Sequence, residues 1–125
     1  MILGKTVLAI SALVFIAYGL VSFISPAIPA GFAGLIMTNG DAFAEIGAMY
    51  GGLQTGLGLF CAVALFKSEF YRSGLMVLFL TIGTLALARW VSLMVVSDPV
   101  TSYTYGALGY EITTAILALI ALLRK

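Results

Sequence analysis

Histidine is absent from these 125 residues, and cysteine occurs once, as Cys61. Without histidine there is no Ser-His-Asp or Cys-His nucleophile, no histidine-ligated haem and no histidine-containing zinc site, and a lone thiol closes no internal disulfide. Charge is scarce as well. Only 9% of the residues are Asp, Glu, Lys or Arg, against about 25% in soluble domains. Six basic and five acidic residues leave a net charge of +1, with no basic face for nucleic acid. No glycine-rich phosphate loop and no metal-ligand cluster is present, so no cofactor, no metal and no catalytic residue is expected. What the chain has in plenty is apolar surface: 62% hydrophobic residues and a mean hydropathy of +1.17. That surplus indicates a small integral membrane protein.

A helix rises about 1.5 Å per residue, so about 20 apolar residues cross a hydrocarbon core of about 30 Å. Four runs meet this requirement, at about 6–25, 43–66, 73–96 and 107–123. Barrel strands would be about 10 residues long with alternating polarity; these runs are longer and do not alternate. The fold class expected is all-α, a four-transmembrane-helix bundle forming a single domain over 1–125. The first run is too long for the 7–15-residue apolar region of a signal peptide, and Ser11, Tyr18 and Ser22 share one stripe of it, which suits packing in a bundle. Lys5, Lys67, Arg72, Arg124 and Lys125 all fall before the first run, between the second and third, or after the fourth. The other two connections, Ser25 to Ala42 and Ser97 to Gly106, hold no Lys or Arg. This asymmetry predicts both ends of the chain on the cytoplasmic side.

The connection after Ser25 contains Pro26, Pro29, Gly31 and Gly34, yet also Ile28, Phe32, Leu35, Ile36 and Met37. Irregular backbone does not lie against lipid, so this segment is expected on the bundle or at the outer interface. Asn39-Gly40 is a turn signal, and Asp41 is placed to cap the second span. Tyr103, Tyr105 and Tyr110 form an aromatic belt at the same surface. In the second span, Gly47, Gly51, Gln54 and Gly58 share one helical stripe, and Glu45, Met49, Gly52 and Gly56 another. Small residues on two sides predict the most enclosed helix of the four, packed intramolecularly or, as the second reading, against another copy. Cys61 reads as a small hydrophobe, with palmitoylation as the other reading.

Three charges lie within the spans. From the expected helix ends, Glu45 is about 5 Å deep, Arg89 about 10 Å and Glu111 about 6–8 Å. All fall in the outer leaflet, on three different helices. An unpaired charge at depth costs about 2.5–3.5 kcal/mol on insertion scales, and the guanidinium fork can serve two carboxylates. A Glu45–Arg89–Glu111 cluster is therefore expected, with Tyr50, Gln54, Trp90 and Tyr110 as neighbours. Such a cluster can be structural glue that sets helix register. It can be a site for a ligand or headgroup. Two acids and one base also sum to −1, which favours a proton shared by a coupled pair, but the few polar groups below this layer argue against a complete transport path in a monomer.

The stretch Glu45-Ile46-Gly47-Ala48-Met49-Tyr50-Gly51-Gly52-Leu53-Gln54 resembles a bacterial family of small four-helix membrane proteins catalogued as a domain of unknown function. The family pattern, Glu-x-x-Ala-x-Tyr-Gly-Gly-x-Gln with Arg in the third helix and Glu in the fourth, falls on Glu45, Ala48, Tyr50, Gly51, Gly52, Gln54, Arg89 and Glu111. Where the family often carries Arg two residues after the glutamate, this chain has Gly47. The layout is also similar to DoxX-type four-helix proteins, some of which accompany quinone-linked oxidoreductases; the resemblance transfers no active site. The expected function is a non-enzymatic membrane protein that binds a lipophilic molecule or a partner membrane subunit at the Glu/Arg/Glu layer, among membrane lipids and with a homo-oligomer open. The alternatives are an accessory component of a quinone- or lipid-linked oxidoreductase, and a small proton-coupled transporter acting as an oligomer.

Overall fold

The computed structural model describes residues 1–124. Along the chain run α1 (Ile2–Ile24), α2 (Ala27–Ala33), α3 (Gly40–Ile46), a π-helical segment (Gly47–Leu53), α4 (Gln54–Phe66), a 3-10 turn (Ser68–Phe70), α5 (Tyr71–Val95) and α6 (Ser102–Leu123). Among the described residues there is no strand. Four continuous stretches are long and apolar enough to cross a membrane: Ile2–Ile24, Gly40–Phe66, Ser68–Val95 and Ser102–Leu123. The all-α class and the number of spans therefore agree with the composition argument.

All four spans start before the expected limits, while they end at those limits or one residue short of them. Helix α1 starts at Ile2 and α6 at Ser102, because Lys5 and the Ser-Tyr-Thr-Tyr stretch are tolerated in a helix whose polar first turns reach past the apolar zone. The second span starts at Gly40, and Asn39, not Asp41, caps it: the Asn39 side chain accepts a hydrogen bond from the Ala42 amide at 3.0 Å. Asp41 sits in the first turn, where its charge favours the positive end of the helix dipole. The connection after Ser25 is not wholly irregular. It forms α2, with Pro29 and Ala30 buried, and ends at Gly34 in the left-handed region with φ 71°, a C-terminal closure that glycine makes without a Cβ clash. Ile28, Phe32, Leu35 and Ile36 remain exposed on this segment.

By contacts the chain divides into two compact units, Ala9–Val63 and a second made of Met1–Leu8 with Ala64 onward. In the first, glycines set the approach of α1 to the second span. A Cβ added at Gly51 would lie 2.7 Å from the Phe23 Cβ and 2.8 Å from its Cα; one at Gly58 would lie 2.7 Å from Ile16 Cγ1 and 2.8 Å from the Ile16 backbone nitrogen. Gly19 faces the Thr55 hydroxyl and backbone in the same manner, while that hydroxyl donates to the Gly51 carbonyl at 2.7 Å. Ser11 and Ser22 are buried on α1, as their stripe predicted, and Tyr18 is half-buried. Cys61 is fully buried, which removes the palmitoylation reading because an acyl donor cannot reach it.

The expectation that the second span is the most enclosed is overturned: it is the least buried of the four. Its Gly51/Gly58 side packs on α1, but a Cβ at Gly52 or Gly56 would meet nothing within 4 Å. Small residues permit close approach; they do not supply the neighbour.

In the second unit, α5 and α6 pack along one seam. Leu75, Leu78, Ile82 and Ala86 are buried on α5, and Thr114, Ala115, Ala118, Ala121 and Leu122 on α6. The 3-4 spacing keeps each row on one face of its helix. Opposite Gly83, the Ala115 methyl would lie 3.6 Å from an added Cβ, so alanine and glycine thin the seam here. Gly74 similarly receives the Ala64 methyl, with Leu8 Cδ2 at 3.1 Å from its would-be Cβ.

Candidate functional site

The row of buried residues on α5 continues by a three-residue step from Ala86 to Arg89, and the row on α6 continues by a three-residue step back from Thr114 to Glu111. Each charge thus extends a seam-facing stripe that is apolar elsewhere. The structure brings the two together. Arg89 Nε donates to Glu111 Oε1 at 2.9 Å and Nη2 donates to Oε2 at 3.0 Å. This is a two-point, side-on contact, the geometry in which a planar guanidinium matches a carboxylate best. The Glu111 side chain is 8% exposed and that of Arg89 26%, so the acid is enclosed while the base keeps an open edge.

Arg89 is six residues before the end of α5, about 9 Å along the axis, and Glu111 is nine residues after the start of α6, about 14 Å. Glu111 therefore lies further along its helix than expected, because α6 begins earlier than the apolar run suggests. A two-point contact offsets the desolvation of both groups only if both are present; their joint net charge is zero.

The remaining candidates fall as follows. Trp90 follows Arg89 on α5 and is 52% exposed. Tyr110 precedes Glu111 on α6 and is half-buried. Glu45, Tyr50 and Gln54 belong to the Ala9–Val63 unit. Glu45 is exposed near the end of α3, Tyr50 is half-buried in the π-helical segment, and Gln54 is half-buried at the start of α4. Among the described residues no cluster of three or more acidic or cysteine side chains could hold a metal ion.

One feature of this region is not visible at 100° per residue. Ala48, Tyr50, Gly51 and Gly52, the central residues of the quoted motif, all lie in the π-helical segment Gly47–Leu53. Such wide turns are short and often accompany functional sites. The signal for it in the sequence is Gly47 with the adjacent pair Gly51-Gly52, which relaxes the backbone without a Cβ to obstruct it.

The family described as "Domain of unknown function (DUF4345)" matches residues 3–122. The chain belongs to this family. No curated protein and no solved structure matches it. Membership in DUF4345 covers the four candidate spans almost end to end, and it carries no reaction with it.

Proposed function

We propose that this DUF4345 member is a non-enzymatic membrane protein that binds a lipophilic molecule, or a partner membrane subunit, at the Arg89–Glu111 pair. One observation carries the reading: a two-point ion pair well inside two apolar helices whose guanidinium remains a quarter exposed. A fully enclosed pair leaves no access for a third group, whereas a guanidinium that keeps accessible surface among apolar neighbours suits a ligand with one polar group. Glu45, Tyr50, Gln54, Trp90 and Tyr110 are the further residues proposed for this site. The unequal loop charges support both chain ends on the cytoplasmic side of a bacterial inner membrane, which a reporter fused after Arg124 would check.

The test is a native mass spectrum and lipid extract of the purified protein beside Arg89→Met/Glu111→Leu, a pair that keeps volume and removes both charges together. A co-purifying species held by the parent and lost from this variant supports the proposal. Identical bound species with only a changed melting temperature returns the pair to a structural role. A double-mutant cycle between Glu45→Gln and Arg89→Lys decides whether Glu45 shares the site: a coupling below about 0.5 kcal/mol removes it.

The similarity to DoxX-type proteins favours, as a second reading, an accessory role beside a quinone-linked oxidoreductase. An optical spectrum and quinone analysis of the same extract test it, and absence of any reducible quinone counts against it. For transport, proteoliposome flux equal in the parent and Glu111→Gln would remove a proton-coupled role.

A further inference from the structure

At the other end of α5 and α6, about 17 residues or roughly 25 Å along α5 from Arg89, lies a cavity of about 180 Å³. Its lining includes Gly4, Tyr71, Arg72, Ala121 and Arg124, all within the second unit. Three helix ends meet there: the start of α1, the start of α5 and the end of α6. In a chain that spans a bilayer these ends lie at one membrane surface, where headgroup phosphates are found.

One of the donors lining the cavity is fixed. Arg72 is held in place because its Nη2 donates to the Leu122 carbonyl at 2.9 Å, one of the acceptors that the last turn of α6 leaves without an intrahelical partner. This occupies one of the five guanidinium donors. Arg124 makes no side-chain hydrogen bond or ion pair among the described residues. Tyr71 is 7% exposed, and its hydroxyl points at Gly4, where even an added Cβ would collide with it. That hydroxyl, too, has no hydrogen-bond partner among the described residues, and with its ring buried and the residue lining the cavity it is free to donate there. Two cations and one neutral donor thus share one concave site.

The surroundings reinforce the sign. Lys5, Lys67, Arg72 and Arg124 lie at this end of the unit against Glu69, while the turn at the far end holds Asp98 and no cation. Beside the lining residues, Ile2 is 86% exposed and Leu123 74% exposed, which leaves apolar surface where acyl chains can run. An apolar cavity of about 150 Å³ accommodates benzene, so the space here suits one headgroup phosphate and not a whole lipid.

We propose that this cavity binds the phosphate of an anionic glycerophospholipid, with Arg72 and Arg124 as its cations and the Tyr71 hydroxyl as its neutral donor. Basic pockets between helix ends hold lipid headgroups through this combination of charge and adjoining apolar surface. The site is separate from the Arg89–Glu111 pair, so failure of either proposal leaves the other standing.

The experiment titrates the full-length protein in nonionic detergent with phosphatidylglycerol, phosphatidylcholine and inorganic phosphate, and reads bound species by native mass spectrometry. Phosphatidylglycerol is expected to bind more tightly than phosphatidylcholine by on the order of tenfold, given about 1 kcal/mol per nearby cation. Arg124→Gln should weaken it about tenfold and Tyr71→Phe about threefold, in keeping with one charged and one neutral hydrogen bond. Lys67→Gln, outside the cavity lining, should change it less than about twofold. Thermal melts without lipid establish that each variant is folded. Equal binding of the two lipids overturns the proposal, as does unchanged binding in a folded Arg124→Gln. Inorganic phosphate that saturates the site and displaces phosphatidylglycerol would assign it to a free anion and overturn the lipid assignment.

Discussion

The two units hold their helices together by different means. In Ala9–Val63, α1 and the second span approach until backbone meets side chain, at Gly19, Gly51 and Gly58; the Thr55 hydroxyl bond to the Gly51 carbonyl stays within its own helix. In the other unit, α5 and α6 leave room for alanine methyls and are tied by arginine near both ends, Arg89 to Glu111 and Arg72 to the Leu122 carbonyl. Lipid tails are as apolar as leucine, so burying leucine between helices gains little there; close packing or a polar tie must supply the association. The seam of α1 with the second span relies on the first and the α5–α6 seam on the second. A seam held by shape tolerates no added carbon, and a seam held by charge tolerates no lost partner.

The largest expected effect follows from that last statement. Arg89→Ala leaves the Glu111 carboxylate enclosed without its cation and should destabilise the protein by about 3–5 kcal/mol, whereas Arg89→Met/Glu111→Leu should recover most of the loss. Unfolding in mixed detergent measures both, and a double variant no more stable than the single would show that the tie does more than balance charge. Next is Gly58→Ala, which places a carbon against the Ile16 backbone and should cost about 1–3 kcal/mol. Were it harmless, the glycine account of the first unit would fail.

Losing the Arg72 bond to the Leu122 carbonyl through Arg72→Ala should cost about 1 kcal/mol, and Asn39→Ala a similar amount through the lost cap. Local hydrogen exchange in the last turn of α6 and the first turn of α3 would localise each effect. Smallest of all is Gly52→Ala or Gly56→Ala. With nothing within 4 Å of the new carbon, each should lie within about 0.5 kcal/mol of the parent or slightly above it. A larger loss would indicate that this open stripe is covered by another chain in the membrane.

Local rules read some of this from the sequence and missed the rest. The absence of ionisable groups from Thr6 to Gly40 was enough to place α1, since any other conformation would leave backbone polar groups unsatisfied in hydrocarbon. Arg89 and Glu111 were legible as partners because each is an isolated charge inside an apolar run, and the cost of leaving either alone exceeds that of most alternatives. The stripe of Ser11 and Ser22 was legible for the same reason. The second span was misread. Glycine spacing marks where a neighbour can come close, and it is silent about whether one comes, so the Gly52/Gly56 side looked as covered as the Gly51/Gly58 side. The π-helical turn was missed because a fixed angle of 100° per residue assumes the α ladder throughout, and the start of α6 because polarity near a membrane surface looks the same in helix and loop.

Hydrophobicity and charge placement along the chain are one-dimensional properties, and they suffice for the class of protein, the number of spans and the identity of the residues that must find a counter-charge. Which stripe of a helix is covered, that Glu111 is enclosed beside Arg89, and that Tyr71, Arg72 and Arg124 line one cavity depend on separate segments meeting in space, up to 50 residues apart for Arg72 and Leu122. No local pattern encodes that meeting, because the free energy that selects it comes from contacts formed only when the helices pack.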